Sequence, residues 1–294
     1  MGLSLMLLWS VSLAAPSSVG SLQARPGPCG QALLRAIPAR PASAPTGREF
    51  ARSVWNLSGP ARDAHVVAQL VAGNIPGFLR HLIPVTVLGE TPRGTSRVTV
   101  CVLPDYLAVG SDSDFLYVPL GLQAALEVAG RFGYILPTPK LVDAIYATSP
   151  VKLIPEPLAP TEAMRSTEYV LHHTELIELE RALYAEPPGT LTSGDKKDLV
   201  LTDRLWEIPG RVAIYGWQRA SGRPIQPLST FHGARYADYS HGVRLVSRIV
   251  YVNGVASTID DVLADRDLAP LLSREGPLQH LAARLAALAA ASGT

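Results

Sequence analysis

The sequence predicts an α+β protein, a mixed β-sheet flanked by helices, preceded by a signal peptide and a disordered Pro/Ala-rich leader. Three observations carry this. Apolar residues recur at helical spacing in several long segments. Short Val-, Leu- and Tyr-rich runs separated by turn residues read as strands. The two kinds of segment come in blocks, not in the strict strand–helix alternation of a doubly wound fold. Of the 294 residues, 47% are hydrophobic and 17% charged, enough apolar material for a well-filled core.

Residues 3–15 form an apolar run, too short for a membrane span of about 20 residues and followed by small residues at Ala14 and Ala15. This is the pattern of a secretory signal, although no Lys or Arg precedes it. It predicts a secreted or periplasmic protein with no membrane span in the mature chain. Residues 16–47 are rich in Pro, Ala, Ser and Gly and lack any period, hence the flexible leader. Helical patterning follows over 49–57 and 62–71, with a short helix after Pro76. Strands are expected at 85–88, 97–103, 106–109 and 115–118. A helix over 119–132 ends at Gly133, and another starts near 137. Residues 153–160 hold three prolines and form a stiff connector. The longest helix is expected over 162–184, strands return at 198–202, 211–215 and 245–251, and the tail 257–290 reverts to helix. The division is therefore 1–15, 16–47, an N-terminal α+β part at 48–155 and a C-terminal α+β part at 156–294, or one domain over 48–294.

Cys29 and Cys101 are the two cysteines. Export would permit a disulfide. Because Cys29 falls in the leader and Cys101 in an apolar strand-like run, a buried inert thiol at Cys101 is the expectation. Their separation does not make a zinc motif. The net charge of +1, with no basic block, argues against nucleic acid as a partner.

The chemistry concentrates at 229–245. His232, Asp238, Ser240, His241 and Arg244 fall within 13 residues, with Gly233 and Gly242 directly after the histidines. One reading makes His232, Asp238 and His241 ligands of a zinc ion with an open position for water. Another is metal-free: Ser240 as nucleophile, His232 as base, Asp238 as orienter and Arg244 as a substrate or oxyanion contact. No Gly-x-Ser-x-Gly elbow supports the serine. The bland reading is a pinned loop, with Asp238 accepting turn amides and His241 a satisfied core residue. Around this segment, Tyr215, Trp217, Arg223, Gln226 and Tyr236 suggest a groove for sugar or peptide. Lys196 or Lys197 would bind an anionic group or, more simply, form a solvated charged turn. Asp105 is an outlying candidate. His172 and His173, about 100° apart on a helix, read as part of a solvated face.

The steps Phe231-His232-Gly233 and Ser240-His241-Gly242-Val243-Arg244 resemble the local pattern of L,D-transpeptidases, a His-Gly step and then Ser-His-Gly-Cys-x-Arg. That resemblance implies acyl transfer on cell-wall peptide, with the arginine holding the site. Here Val243 follows Gly242 and the cysteine is missing, so thiolate chemistry does not carry over. Five pieces are similar to an uncharacterised group of secreted bacterial proteins: Gly73-Asn74-Ile75-Pro76, Pro104-Asp105-Tyr106-Leu107, Lys196-Lys197-Asp198, Pro224-Ile225-Gln226-Pro227 and Asp238-Tyr239-Ser240-His241-Gly242. This similarity implies export and a shared site, and no particular activity. Together these readings predict a secreted hydrolase of extracellular or cell-envelope peptide or glycan polymer. The alternative is a non-catalytic binding protein with an aromatic platform.

Overall fold

The computed structural model describes residues 28–30 and 37–290. The expected signal peptide, and the leader positions at 16–27 and 31–36, lie outside the described residues. The fold is α+β, as its segregated blocks predict.

Thr46 opens α1 (Gly47–Ser53) by accepting the Glu49 amide while Glu49 reaches back to the Thr46 amide, a reciprocal cap. α2 (Gly59–Val71) buries Val66 and Leu70, and with them Arg62. β1 (Ile83–Thr91) and β2 (Gly94–Val102) pair without a break from Ile83↔Val102 to Thr91↔Gly94. A smaller hairpin joins β3 (Ala108–Gly110) to β4 (Phe115–Tyr117). α3 (Leu122–Phe132) stops at Gly133, whose φ of 74° supplies the left-handed cap. β5 (Tyr134–Ile135), α4 (Pro139–Thr148) and β6 (Val151–Lys152) follow.

The expected single helix at 162–184 is a short 3-10 turn and then α5 (Thr167–Arg181), capped by Ser166. Next come β7 (Thr192–Ser193), β8 (Lys197–Leu199), α6 (Arg204–Glu207), β9 (Ile214–Gln218) and β10 (Pro224–Ser229). β10, which carries Pro224 and Pro227, is not among the strands the sequence predicts. It is an edge strand, where a missing amide donor is tolerated. β11 (His241–Gly242), β12 (Val246–Val252) and β13 (Val255–Thr258) complete the strands. The tail is not one helix. β13 leads into α7 (Ile259–Ala264), α8 (Ala269–Leu272) and α9 (Leu281–Ala290), with Pro270 starting α8 and Gly276 at a φ of 80° before α9.

One sheet runs β1-β2-β12-β13, with β5 also on β12; a second runs β10-β9-β8-β11. Because β12 bonds both β2 and β5, residues on either side of the 153–160 connector share one sheet and one apolar core. The connector is itself held, the Ile154 amide donating to Glu180 and the Leu158 amide to the Tyr239 hydroxyl.

Two expectations about the leader need correction. Residues 37–46 belong to the fold: Ile37 is buried, and Arg40 donates from Nε to Asn74 Oδ1 at 2.9 Å and to the Gly110 carbonyl at 3.0 Å. Gly73 permits this approach, since a β-carbon there would lie 2.4 Å from the Pro38 carbonyl oxygen. Cys101 is not a thiol; it is bonded to Cys29 across 72 residues. Side-chain tethers of this kind leave no periodicity to read. Closing so long a loop is expected to stabilise the fold by about 2–4 kcal/mol. Reduction, or Cys29→Ser, should lower the urea midpoint accordingly; an unchanged midpoint would contradict this.

Candidate active site

Three segments meet where β8 lies between β9 and β11. Lys197 pairs with His241 and with Gly216, and Asp198 pairs with Gly242 and with Tyr215. Gly242 has to be glycine: a β-carbon there would lie 2.5 Å from the Tyr106 ring and 2.8 Å from Lys196 Cβ. The short parallel pairing of β8 with β11 thus brings the Lys-Lys-Asp run against the Ser-His-Gly step.

The outer half of this meeting point is built on Tyr236. Its ring stacks on His232, centroids 3.9 Å apart and planes 8° from parallel, and meets the His241 ring at 5.7 Å. Its hydroxyl donates to Asp238 Oδ2 at 3.1 Å. Asp238 Oδ1 accepts the Ser240 hydroxyl at 2.6 Å and the Ser240 amide at 2.9 Å. Burial would raise the Asp238 pKa, but His241, the Ser240 bonds and Lys197 outweigh it and hold the carboxyl below its ordinary value. His232, Tyr236 and Lys197 are half-buried, so this side faces solvent. Burial lowers the His232 pKa, with Asp238 opposing and Lys197 reinforcing. Burial also lowers Lys197, again against Asp238, and drives Tyr236 up to about 12.

His241 is 1% exposed, and neither ring nitrogen finds a hydrogen-bond partner; Asp238 Oδ2 stands 3.9 Å from Nε2. Burial pulls its pKa down to about 4, so the ring is neutral at pH 7. Trp217, packed beside Lys197 and His173, holds a backbone conformation that costs an aromatic residue about 1–3 kcal/mol. Gly216 at a φ of 109° and Trp217 at 59° break the strand alternation of β9. The indole then lies 4.9 Å under the Lys197 ammonium, its own N–H buried without a partner. Orphaned buried polar atoms and a strained backbone at one point are what functional sites accumulate.

The inner half is a buried charge cluster. Lys196, fully buried, donates to the Tyr239 carbonyl at 2.7 Å and to His173 Nδ1 at 2.9 Å. Burial pulls the His173 pKa down to about 2 and Lys196 adds to the fall, so His173 is a neutral acceptor. Tyr106 donates its hydroxyl to Asp198, and Tyr117 donates to Asp105. Both oxygens of Asp195 are buried without partners. Burial raises the pKa of all three aspartates, that of Asp198 to about 7. Arg244 sits among them, 4.4 Å from the Tyr106 ring centroid, with its guanidinium on the Leu103 and Thr192 carbonyls. Asp105 also reaches the floor of a cleft of about 300 Å³ whose walls include Phe78, Phe115, Tyr117, Glu178 and Tyr184.

Several sequence expectations shift accordingly. Ser240 is buried and its hydroxyl is spent on Asp238, so no imidazole activates it. Arg244 is an internal strut with no access to substrate. Lys196 is buried, not a solvated turn, and His173 faces the core. Tyr215 and Trp217 are buried and form no exposed platform. The Tyr215 hydroxyl bonds Asp143 beside a separate surface cleft that includes Arg223, and Gln226 donates to the adjacent Pro227 carbonyl. Among the described residues no group of three or more His, Cys, Asp or Glu side chains is placed to hold a metal ion. The zinc reading of His232, Asp238 and His241 is therefore not supported; the Tyr236 ring packs against both imidazoles. The residues missed as a group are Asp195, Asp198 and the two deep tyrosines; Lys197, weighed in the sequence as an anion contact, is the half-buried lysine of the pair.

The deep aspartates make stability depend on pH. Between pH 3.8 and about 7 native Asp198 keeps a proton that the unfolded chain has released. That contribution is complete below 3.8 and is lost as pH rises through about 7. Asp198→Asn should therefore gain stability relative to the wild type as pH is raised across this window, read by urea unfolding at several pH values. A difference independent of pH would contradict the assignment.

Comparison with protein-family models, with curated proteins and with solved structures finds no match for this chain.

Proposed function

We propose that this chain is a secreted hydrolase that cleaves an acyl bond in a peptide-bearing extracellular or cell-envelope polymer. The observation that carries the reading is His232: half-buried, its pKa lowered, and stacked on a tyrosine whose hydroxyl is fixed by a buried carboxylate. Such an imidazole is neutral at pH 7 and able to take a proton. A water attacks the carbonyl carbon, and His232 accepts the water's proton. The Lys197 ammonium faces the oxyanion that forms. His232 then returns the proton to the leaving nitrogen or oxygen as the tetrahedral adduct collapses. Asp238 orients Tyr236 and balances Lys197; His241 stays neutral beneath. The resemblance of this segment to cell-wall peptide enzymes points to the same class of bond.

Glycosidic cleavage is less favoured here, because it generally needs two carboxyl groups flanking the bond, and Asp238 is buried. The binding-protein alternative lacks its platform, since Tyr215 and Trp217 are inside. The test is incubation of the protein with peptidoglycan sacculi, scoring new amino termini against new reducing ends. New amino termini are expected. New reducing ends would reassign the bond, and neither, with binding retained, would leave a binding protein.

A further inference from the structure

Away from the aspartate cluster, two arginines meet with much of their hydrogen-bonding capacity unused. Arg62, in the first turns of α2, is 2% exposed. Its Nη1 donates to the Arg165 carbonyl at 3.0 Å, while Nε and Nη2 are buried without partners. Arg165 is half-buried and approaches the start of the same helix. A β-carbon on Gly59 would lie 2.9 Å from its Nη2, and its Nε is also buried without a partner. Ser58, at the N-cap, makes no side-chain bond to the helix amides.

Asp63 answers this charge only through space, with no hydrogen bond to Arg62. Its Oδ2 accepts the Gly121 amide at 3.0 Å, its Oδ1 has no partner, and burial pushes its pKa up to about 6. Burial pulls the Arg62 pKa down; Asp63 opposes this and Arg165 adds to it. A buried guanidinium without a hydrogen-bonded counter-charge is costly, and costlier beside a second one. Paired guanidinium forks at a helix N-terminus match the planar, multiply accepting face of an oxyanion.

We propose that Arg62, Arg165 and the N-terminal turn of α2 bind an oxyanion: phosphate, sulfate or carboxylate. The site adjoins the candidate active site, because the Arg165 guanidinium lies 5.4 Å from the centroid of the same Tyr236 ring that stacks on His232. The binding claim stands on the arginines alone. Its further consequence, that the anion is an acidic group of the polymer being cleaved, rests on the hydrolase reading.

The probes are sodium sulfate, sodium phosphate and an acidic peptide, each compared with sodium chloride at equal ionic strength by calorimetry and melting temperature. The wild type should show saturable binding above the chloride baseline, with a rise in melting temperature. Tighter binding of the inorganic anions supports the site and assigns it to a free ion. Tighter binding of the peptide supports it and assigns it to a polymer-borne carboxylate. Arg165→Gln should weaken binding at least tenfold, on the order of what one charge-assisted pair supplies. Arg62→Lys should weaken it too, since it keeps the charge and loses the fork. If Arg62→Lys fails to fold, the half-buried Arg165→Gln still decides. Absence of saturable binding, or equal binding by Arg165→Gln, overturns the site. Anion binding without hydrolysis of sacculi would leave the site standing and remove only the link to turnover.

Discussion

Arg244→Met is expected to cost about 3–5 kcal/mol of folding stability, the range for removing one member of a buried charged group. The residue is 1% exposed and donates to the Leu103 carbonyl at 2.8 Å and the Thr192 carbonyl at 2.6 Å. Those bonds tie the end of β2 and strand β7 to the chain leaving β11. Burial would lower its pKa, yet Tyr106, Asp198, Asp105 and Asp195 together hold it above its ordinary value. The reverse also holds, since Arg244 opposes the rise in pKa of each of these aspartates. Methionine fills much of the space but leaves two carbonyls without donors and the carboxyls without their cation. Both defects are expensive in the interior. Urea unfolding measures the loss. A cost below about 1 kcal/mol, as for an exposed ion pair, would show that the cluster is better hydrated than its burial implies.

The parts of the fold and site that were legible in the sequence are those written locally. The block order of helices and strands gave the α+β class, and Gly133 marked the end of α3. His232, Asp238, Ser240 and His241 stood out because one short segment carries them, and Tyr236 does join the two histidines. What was illegible comes from other segments. Asp105 precedes β3 and stood only as an outlying candidate, His173 is on α5 and Asp198 is on β8, and only the pairing of β8 with β11 brings the last of these beside Gly242. Lys196 and Lys197 look alike in sequence, yet alternation along the strand buries one and leaves the other half-buried. Charged residues are read as solvated by default, and that rule hid both Lys196 and Arg62. Arg62 in fact falls on the same helical face as Val66 and Leu70, at four-residue spacing. The strain at Trp217 has no sequence signal beyond the glycine before it.

The proposed chemistry depends on His232 as the base. His232→Gln keeps a planar polar side chain against Tyr236 and removes the group that takes the proton. General-base contributions of this kind are about 10²–10⁴-fold. Because His232 is half-buried and lies at the mouth of the cluster, its loss should leave the fold intact. In the wild type, turnover should fall as pH drops below the ordinary histidine range, since burial keeps the ring unprotonated until then. The most direct test is the rate of amino-terminus release from sacculi by wild type and His232→Gln, with melting temperatures taken on the same samples. The expected result is a loss of about 10²–10⁴-fold at nearly unchanged melting temperature. Wild-type turnover in the variant, or a loss that only tracks unfolding, would contradict a catalytic role for His232.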